Sequence, residues 1–428
     1  MERRVFLKKL GTVAPLVFAF KGLSNTNLSF LTNLAAEAVA KNRVLVLVQL
    51  NGGNDSLNTF IPINEYSFLE KVRKDILIPE NKILKLNDNN PFGFHPALDG
   101  LRNLYNNKLV TVIHGVGYPD AGLSHFKGIN IKMTANCSNN PVKTGWIGRY
   151  CDNLEHNNYH SKSNSISPCI RIGEVSPIIS QGELIDNGIG INKFSDVVLD
   201  DKKSNLENTY ENYNTSNNIS FIKDVENRIQ TEYSFINEAL KKQQTLSKLY
   251  PTDKGKSARM SISEQLKLVA RLIGGNLESK IYVVSQFGYD THANQVEKAD
   301  TTKGLHAELL KNLSEAIYAF EDDLNLMGIQ DRVLGMTFSE FGRRIKSSEY
   351  GTDHGNAESV ILFGNKLKGG MTGNEFMQLN DSMENLPFGI DFRSLYFSVL
   401  KDWFELDENK IKSILPEAHY NHLELFKQ

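Results

Sequence analysis

The sequence predicts an α/β fold with a mainly parallel central sheet, because short apolar strands alternate with amphipathic helices along most of the chain. Residues 44–50 are largely apolar and rich in valine, and two glycines follow them closely. Such a run is typical of a strand that is buried on both faces of its sheet. No internal repeat is visible. We therefore expect one large α/β domain over residues 41–428.

The predicted elements follow one another in βαβ order. The opening strand, a helix over 96–106 and a strand over 109–114 make the first unit. Three more apolar runs are predicted as strands: 281–285, 332–338 and 359–363. Six further segments show the apolar spacing or the flanking residues of helices: 126–134, 145–151, 221–249 before Pro251, 261–273, 305–327 and 393–404.

The residues around 153–220 are rich in Asn, Ser and Gly and show weak periodicity, so they are predicted to be a polar insertion in this domain. Within them, residues 202–218 are predicted to be solvated. The whole chain has 428 residues, is 40% hydrophobic and carries a formal net charge of -2. This ordinary globular composition gives no argument for a nucleic-acid partner or an anionic membrane surface. Cys137, Cys151 and Cys169 allow one disulfide and one thiol, and their spacing does not choose among the pairings.

The N-terminus resembles a twin-arginine export signal. Arg3 and Arg4 precede Val-Phe-Leu-Lys, and residues 10–20 form a short, mildly apolar run. That run is too short to be a membrane span. The alternative is a basic, amphipathic first helix. We expect residues 1–40 to be a signal and linker, with cleavage near residues 38–40. The protein would then use the twin-arginine export machinery and be periplasmic or secreted.

Polar side chains follow four of the predicted strands, and more lie on the loop before the fifth. If the sheet is parallel, these groups converge on one edge, where open α/β sheets bind ligands. Carboxylates with imidazoles suit Zn²⁺, Mn²⁺ or Fe, whereas carboxylates with few imidazoles suit Mg²⁺ or Ca²⁺. The candidate groups, in chain order, are Asp55 with Ser56, Ser124 with His125, Asp290 with His292, Glu340, and Asp353 with His354.

Each candidate also has an ordinary structural explanation. Asp55 directly follows a strand, and on that stretch alone a helix N-cap is the favoured role. Ser124 precedes a predicted helix, and its local position likewise favours an N-cap. Asp290 and Asp353 have the position of turn residues that bond their own backbone. An alternative role for Glu340 is a structural ion pair with one of the two arginines that follow it. The alternative for His292 is an ordinary surface histidine.

Five stretches together resemble domain-of-unknown-function family 1501, a set of bacterial proteins that often carry twin-arginine signals. They are residues 46–62, 122–126, 289–292, 339–343 and 351–355. The resemblance covers essentially the whole mature chain. It implies a three-layer α/β sandwich similar to the alkaline phosphatase and sulfatase superfamily.

That resemblance also implies roles for individual residues. It makes Ser124 the nucleophile and His354 the last metal-binding histidine, or else aligns residues 353–355 as the superfamily's Asp-His-Gly motif. The implied ligands of one or two divalent metals (Zn, Mn, Mg or Ca) are Asp55, Asp290, His292, Glu340, Asp353 and His354. Arg343 and His125 are predicted to contact an anionic ester substrate; for Arg343, and for its neighbour Arg344, the prediction rests on the affinity of a guanidinium for anions.

The expected function is therefore an exported, metal-dependent hydrolase of phosphate or sulfate esters, in which Ser124 or a metal-bound water attacks. The alternative is a non-catalytic protein of the same fold that serves as a periplasmic binding or assembly partner. This alternative is favoured by Phe341, which stands where the superfamily has a histidine after its metal-binding acid. A redox enzyme ranks third, because no haem, iron–sulfur or dinucleotide fingerprint is present.

Replacing both Arg3 and Arg4 with lysine should leave the protein in the cytoplasm, because the export receptor reads the arginine pair. Cell fractionation measures the outcome, and Arg43→Lys, which lies outside the motif, is the matched control. Unchanged periplasmic accumulation of the double variant would refute the export prediction.

Overall fold

The computed structural model describes residues 42–86, 90–119, 123–138, 140–154, 165–193, 216–251, 259–415 and 420–427. The predicted export signal lies outside these residues. The strands are β1 Val44–Asn51, β2 Phe60–Pro62, β3 Leu84–Lys85, β4 Phe92–Phe94, β5 Val110–Gly117, β6 Cys169–Ile172, β7 Gly188–Ile191, β8 Ile281–Phe287, β9 Val333–Phe338, β10 Gly342–Ser348, β11 Gly351–Gly355, β12 Glu358–Phe363, β13 Gly370–Thr372 and β14 Ile390–Asp391. The α-helices are α1 Ser56–Thr59, α2 Tyr66–Val72, α3 Asp99–Asn106, α4 His125–Thr134, α5 Trp146–Asp152, α6 Ser216–Lys242, α7 Ile262–Gly274, α8 Leu305–Met327, α9 Phe392–Ser398 and α10 Glu408–Ile414.

Among the described residues, the central sheet has nine strands in the order β13-β5-β12-β9-β1-β8-β6-β7, with β14 also paired to β5. Strand β1 lies in the middle and pairs in parallel with β8 and β9. Strand β12 is antiparallel to both of its neighbours. The other pairings in this sheet are parallel. The predicted α/β fold with a mainly parallel central sheet is therefore confirmed.

Helices cover both faces of this sheet. Alternate residues of β1 point to opposite faces, so Val46 packs in one apolar core and Leu47 in the other. Residues of α3, α7 and α8 belong to the first core. Residues of α4, α5, α9 and α10 belong to the second. Each fully buried Val or Leu side chain contributes roughly 1.5–3 kcal/mol, and together they hold the sheet between its two helical layers.

The five predicted strands are all present as β1, β5, β8, β9 and β12. The polar stretch around 153–220 is not an insertion throughout: it contains β6 and β7, which extend the edge of the central sheet. These strands are four residues long, too short for a clear alternating pattern. Residues 351–355, predicted as a loop, form β11, which pairs with β10 in an antiparallel hairpin.

The parallel topology places the carboxyl ends of β1, β5, β8 and β9 on one edge of the sheet. The segments that leave these ends carry most of the predicted site residues. The β10–β11 hairpin adds Arg343, Asp353 and His354. The fold thus brings residues far apart in sequence to a single edge.

All three cysteines are free thiols in the structure, and Cys151 and Cys169 are buried. Of the helices that the structure describes, none combines the length and the apolar character needed to cross a membrane.

Glu321 is a buried carboxyl group on α8, and its Oε1 atom has no hydrogen-bond partner among the described residues. Burial raises the pKa of the Glu321 carboxyl to about 8. A carboxyl whose folded pKa is raised contributes full stability below its unfolded pKa of about 4.3 and loses it as the pH rises toward the folded pKa.

Glu321→Gln should therefore stabilise the protein relative to wild type at pH 8, by on the order of a few kcal/mol, and much less at pH 5. Thermal unfolding of both proteins from pH 5 to pH 8 measures this difference. Glu315→Gln, on the same helix but partly exposed, is the control and should show little pH-dependent change. A difference for Glu321→Gln that is constant over this range would contradict the prediction.

Candidate functional site

Three side chains at the sheet edge place their polar atoms in mutual contact. Asp290 Oδ1 lies 3.1 Å from His292 Nε2 and 3.2 Å from His354 Nε2. The two imidazole Nε2 atoms lie 2.9 Å apart. Asp290 and His292 are about half exposed, at 46% and 48%, whereas His354 is 16% exposed. We call Asp290, His292 and His354 the ligand trio.

The turn after β8 positions two members of the trio against the end of β1. Tyr289 N donates to Asn51 O at 3.0 Å, which fixes this turn beside β1. Gly52 has a φ of +120°, and a Cβ atom there would lie 2.2 Å from Asp290 N. Glycine at position 52 therefore satisfies both the unusual backbone angle and the close approach that brings Asp290 to the edge.

His125, the first residue of α4, extends the cluster. Its Nε2 atom lies 3.4 Å from Asp290 Oδ2 and its Nδ1 atom 3.3 Å from Glu340 Oε1. Among the described residues, two overlapping groups have potential ligand atoms that all lie within 4.8 Å of one another. One group is His125 with Asp290 and His354, and the other is His292 with Asp353 and His354.

Backbone and carboxylate contacts orient the two trio histidines. His354 Nδ1 lies 2.7 Å from Leu123 O. Because a carbonyl oxygen only accepts, Nδ1 carries the hydrogen and Nε2 is left with its lone pair facing the trio. Leu123 has a φ of +46°, a strained conformation for a leucine. His292 Nδ1 faces Asp353 Oδ1 at 3.5 Å, which likewise turns its Nε2 toward Asp290.

Arg343 lies beneath the trio with its side chain fully buried. Its guanidinium donates to Asp290 Oδ1 at 2.6 Å. It also donates to four backbone carbonyls: Gly52, Gly53, Tyr289 and Thr352. Burial opposes ionisation of Asp290, but the hydrogen bond and charge of Arg343 outweigh it and lower the pKa of the Asp290 carboxyl. The sequence predicts Arg343 as a substrate contact, whereas the structure commits its guanidinium to these internal acceptors.

Glu340 supports the site from behind. Both of its carboxylate oxygens accept from Gly52 N, at 2.9 and 3.0 Å. Ser339 Oγ donates to Oε2 at 3.0 Å. The remaining contact is with His125, so Glu340 touches the cluster through that imidazole. Phe341 is 1% exposed, and its ring centroid lies 5.0 Å from that of His125 and 4.4 Å from that of His354.

Asp55 is held away from the trio in a buried ion pair with Arg73. Its Oδ1 accepts from Asn58 N at 3.3 Å, which makes it the N-cap of α1, and its Oδ2 accepts from Gln295 Nε2 at 2.7 Å. Burial disfavours the charged form, but the positive charge of Arg73, the interaction with His306 and the hydrogen bonds from Gln295 and Arg73 together outweigh it and lower the pKa of Asp55. The structure thus agrees with the N-cap alternative for Asp55 and does not bring its carboxylate into either ligand group.

Ser124 occupies the N-cap position of α4, but its hydroxyl makes no capping hydrogen bond and is exposed. Arg344, the neighbour of Arg343, is 31% exposed and donates from Nε to His354 O at 3.2 Å. Its Nη2 atom lies 3.4 Å from Asp353 Oδ2. Solvent therefore reaches the side chains of both Ser124 and Arg344, as it does those of His125 and Asp353.

Sequence reasoning missed Arg73 and Gln295, whose side chains hydrogen-bond to the Asp55 carboxylate. Neither belongs to a motif, and each reaches Asp55 only through tertiary contacts. No local pattern would have identified them.

A protein-family model matches well over half of the chain. The family model described as "Protein of unknown function (DUF1501)" matches residues 114–415. No curated protein matches the chain in sequence.

Several solved structures resemble the chain distantly. The crystal structure of Ps i-CgsB in complex with k-i-k-neocarrahexaose is 12% identical, with a TM-score of 0.37, and the match covers 86% of this chain and 74% of that one. The zinc complex of the C-terminal periplasmic domain of EcEptC from Escherichia coli is 10% identical, with a TM-score of 0.33 and coverage of 76% and 74%. The PsFucS1 sulfatase from Pseudoalteromonas sp. is 11% identical, with a TM-score of 0.30 and coverage of 89% and 72%.

Asp55→Asn should destabilise the protein whether or not metal is present. Asparagine keeps the cap, but Arg73 then becomes a buried charge without its counter-charge, which costs roughly 3–5 kcal/mol. Thermal unfolding with and without chelator should show the same chelator response in this variant and in wild type. Asp290→Asn is the contrasting variant and should lose that response. A lost response in Asp55→Asn would instead make Asp55 a ligand.

Proposed function

We propose that this chain, which belongs to the family of proteins of unknown function whose model it matches, is a metal-dependent hydrolase of phosphate or sulfate esters. The observation that carries the proposal is the convergence of Asp290 Oδ1, His292 Nε2 and His354 Nε2 to mutual distances of 2.9–3.2 Å. These three atoms come from two separate segments of the sheet edge, the turn after β8 and strand β11.

The donor set fits a divalent metal ion. Zn²⁺ binds imidazole nitrogen and carboxylate oxygen at about 2.0–2.2 Å in tetrahedral geometry, which places neighbouring ligand atoms about 3.4 Å apart. The trio atoms lie slightly closer together than that, so a small outward shift of the side chains would admit the ion. One carboxylate with two imidazoles favours Zn²⁺, Mn²⁺ or Fe over Mg²⁺ and Ca²⁺. The trio would hold the ion, and His125 Nε2 is the nearest further donor. A bound ion would supply Lewis-acid polarisation of the ester oxygens.

The side chains beside the trio suit an anionic ester. Ser124 presents its hydroxyl at the N-terminus of the ten-residue helix α4, where the first-turn N–H groups and the helix dipole favour negative charge. We assign it as the attacking nucleophile. Arg344 pairs with Asp353 and Glu384 but keeps a partly exposed guanidinium, a cation suited to phosphate or sulfate oxygens. Ser124 and Arg344 are both tied to His354, through Leu123 O and the His354 carbonyl respectively.

A second candidate function is a non-catalytic binding or assembly protein of the same fold. The observation that favours it is Phe341, whose buried ring packs against both His125 and His354. An apolar ring there reduces the number of polar groups available for chemistry. In either case we propose that the protein acts after twin-arginine export, in the periplasm or outside the cell.

Two measurements test the proposal. Purified mature protein should retain a divalent metal after dialysis, and it should hydrolyse an aryl phosphate or an aryl sulfate. His354→Ala should lower metal affinity and kcat/KM by at least about 100-fold, because it removes a trio atom. His422→Ala, an exposed histidine paired with Asp402 away from the trio, is the matched control and should match wild type in both.

Ser124→Ala separates the two attacking groups. If the hydroxyl attacks, activity should fall by about 100-fold or more while metal content stays at the wild-type level. If Ser124→Ala retains its activity, the attacking group is water and not the Ser124 hydroxyl. Metal retention without hydrolysis of either ester would favour the binding protein, and absence of metal would overturn both the centre and the hydrolase.

A further inference from the structure

We propose that the centre holds one metal ion and not two, and that the buried guanidinium of Arg343 is its second, fixed positive charge. The inference rests on the proposed function, because it concerns the same trio. It concerns how many ions the site takes and what balances its negative charge.

The first step concerns the two overlapping ligand groups, which on distance alone allow two ions. Both groups need His354. Its Nδ1 atom is bound to Leu123 O at 2.7 Å, so only Nε2 is left to bind metal. One imidazole nitrogen has a single lone pair and binds one ion. Occupation of either group therefore prevents occupation of the other.

The second step concerns the carboxylates around the trio, which already have partners. Glu340 accepts from Gly52 N and Ser339 Oγ and contacts His125 Nδ1. Asp353 accepts from His354 N at 2.8 Å and faces His292 Nδ1. Both therefore act as carboxylates that orient a neighbouring imidazole, the usual arrangement behind a metal-binding histidine. They are positioning residues and not ligands of a second ion.

The third step concerns Arg343, whose fully buried guanidinium lies 2.6 Å from Asp290 Oδ1. Its other acceptors are uncharged backbone carbonyls, so Asp290 is the carboxylate with which its charge pairs in the described contacts. An arginine keeps its charge at any pH of interest. A second cation on the Arg343 side of Asp290 would meet a permanent positive charge at close range, beside a guanidinium that is itself fully buried. The guanidinium therefore excludes a second ion and stabilises the Asp290 carboxylate itself.

Metal stoichiometry tests the first part. The mature protein, stripped by chelator and dialysed, is titrated with Zn²⁺, and bound zinc per chain is measured by calorimetry and elemental analysis. We expect one ion per chain in wild type and less than a tenth of that in His354→Ala. Two ions per chain would overturn this inference and leave the hydrolase proposal standing. No bound ion would overturn the proposed function together with this inference.

Two variants of Arg343 test the second part by the direction of the change in zinc affinity. Arg343→Gln removes the charge, so the more negative site should bind zinc about tenfold more tightly or better. Arg343→Lys keeps the charge but loses most of the carbonyl hydrogen bonds, and its affinity should stay within a few-fold of wild type. A merely structural arginine predicts weaker binding in both. Weaker binding by tenfold or more in Arg343→Lys would overturn the charge role, even if Arg343→Gln does not fold.

Discussion

The structure of the site depends on one buried guanidinium. Arg343 ties the turn after β1, the turn after β8 and strand β11 together through hydrogen bonds to Gly52, Gly53, Tyr289 and Thr352 and through its ion pair with Asp290. A buried charge is tolerated only when it is paired and hydrogen-bonded, and five acceptors meet that condition here. The same bonds fix the relative position of the segments that carry the trio.

Two glycines after β1 allow the neighbouring segments to approach the end of that strand closely. Gly52 and Gly53 both have positive φ angles, and Cβ atoms there would collide with Asp290 N and with the ring of Phe341. Side chains at these positions would push the β8 turn and the β9–β10 segment away from the end of β1. Because Gly52 and Gly53 have no side chains, the segment that carries Asp290 can lie against the end of the central strand.

The sequence predicts those features that have a local signature. The five buried strands are predicted because apolar runs mark strands. A larger set of converging polar groups, which includes the trio together with Asp55, Ser124 and Glu340, is predicted because parallel strands end on one edge. The burial of Arg343 was not predicted, since a charged residue after a strand looks the same whether it faces solvent or the core. Asp55 shows the same limit: its motif suits a ligand or a cap, and only Arg73, from α2's C-terminal end, decides where its charge is balanced. Strands β6 and β7 were missed because four residues rich in glycine or flanked by polar stretches carry little pattern.

The distribution of exposure around the trio explains how the site combines rigidity with access. Arg343, Glu340 and Phe341 are almost fully buried and form its floor, whereas Asp290 and His292 are about half exposed. A floor whose side chains are locked by packing and hydrogen bonds costs little reorganisation when a ligand binds. The strained backbone of Leu123 contributes to this arrangement. Its carbonyl oxygen orients His354, and the residue that follows it is Ser124, whose hydroxyl is exposed. Backbone strain of this kind persists only where surrounding contacts enforce it, and here it couples the orientation of a proposed ligand to the position of the proposed nucleophile.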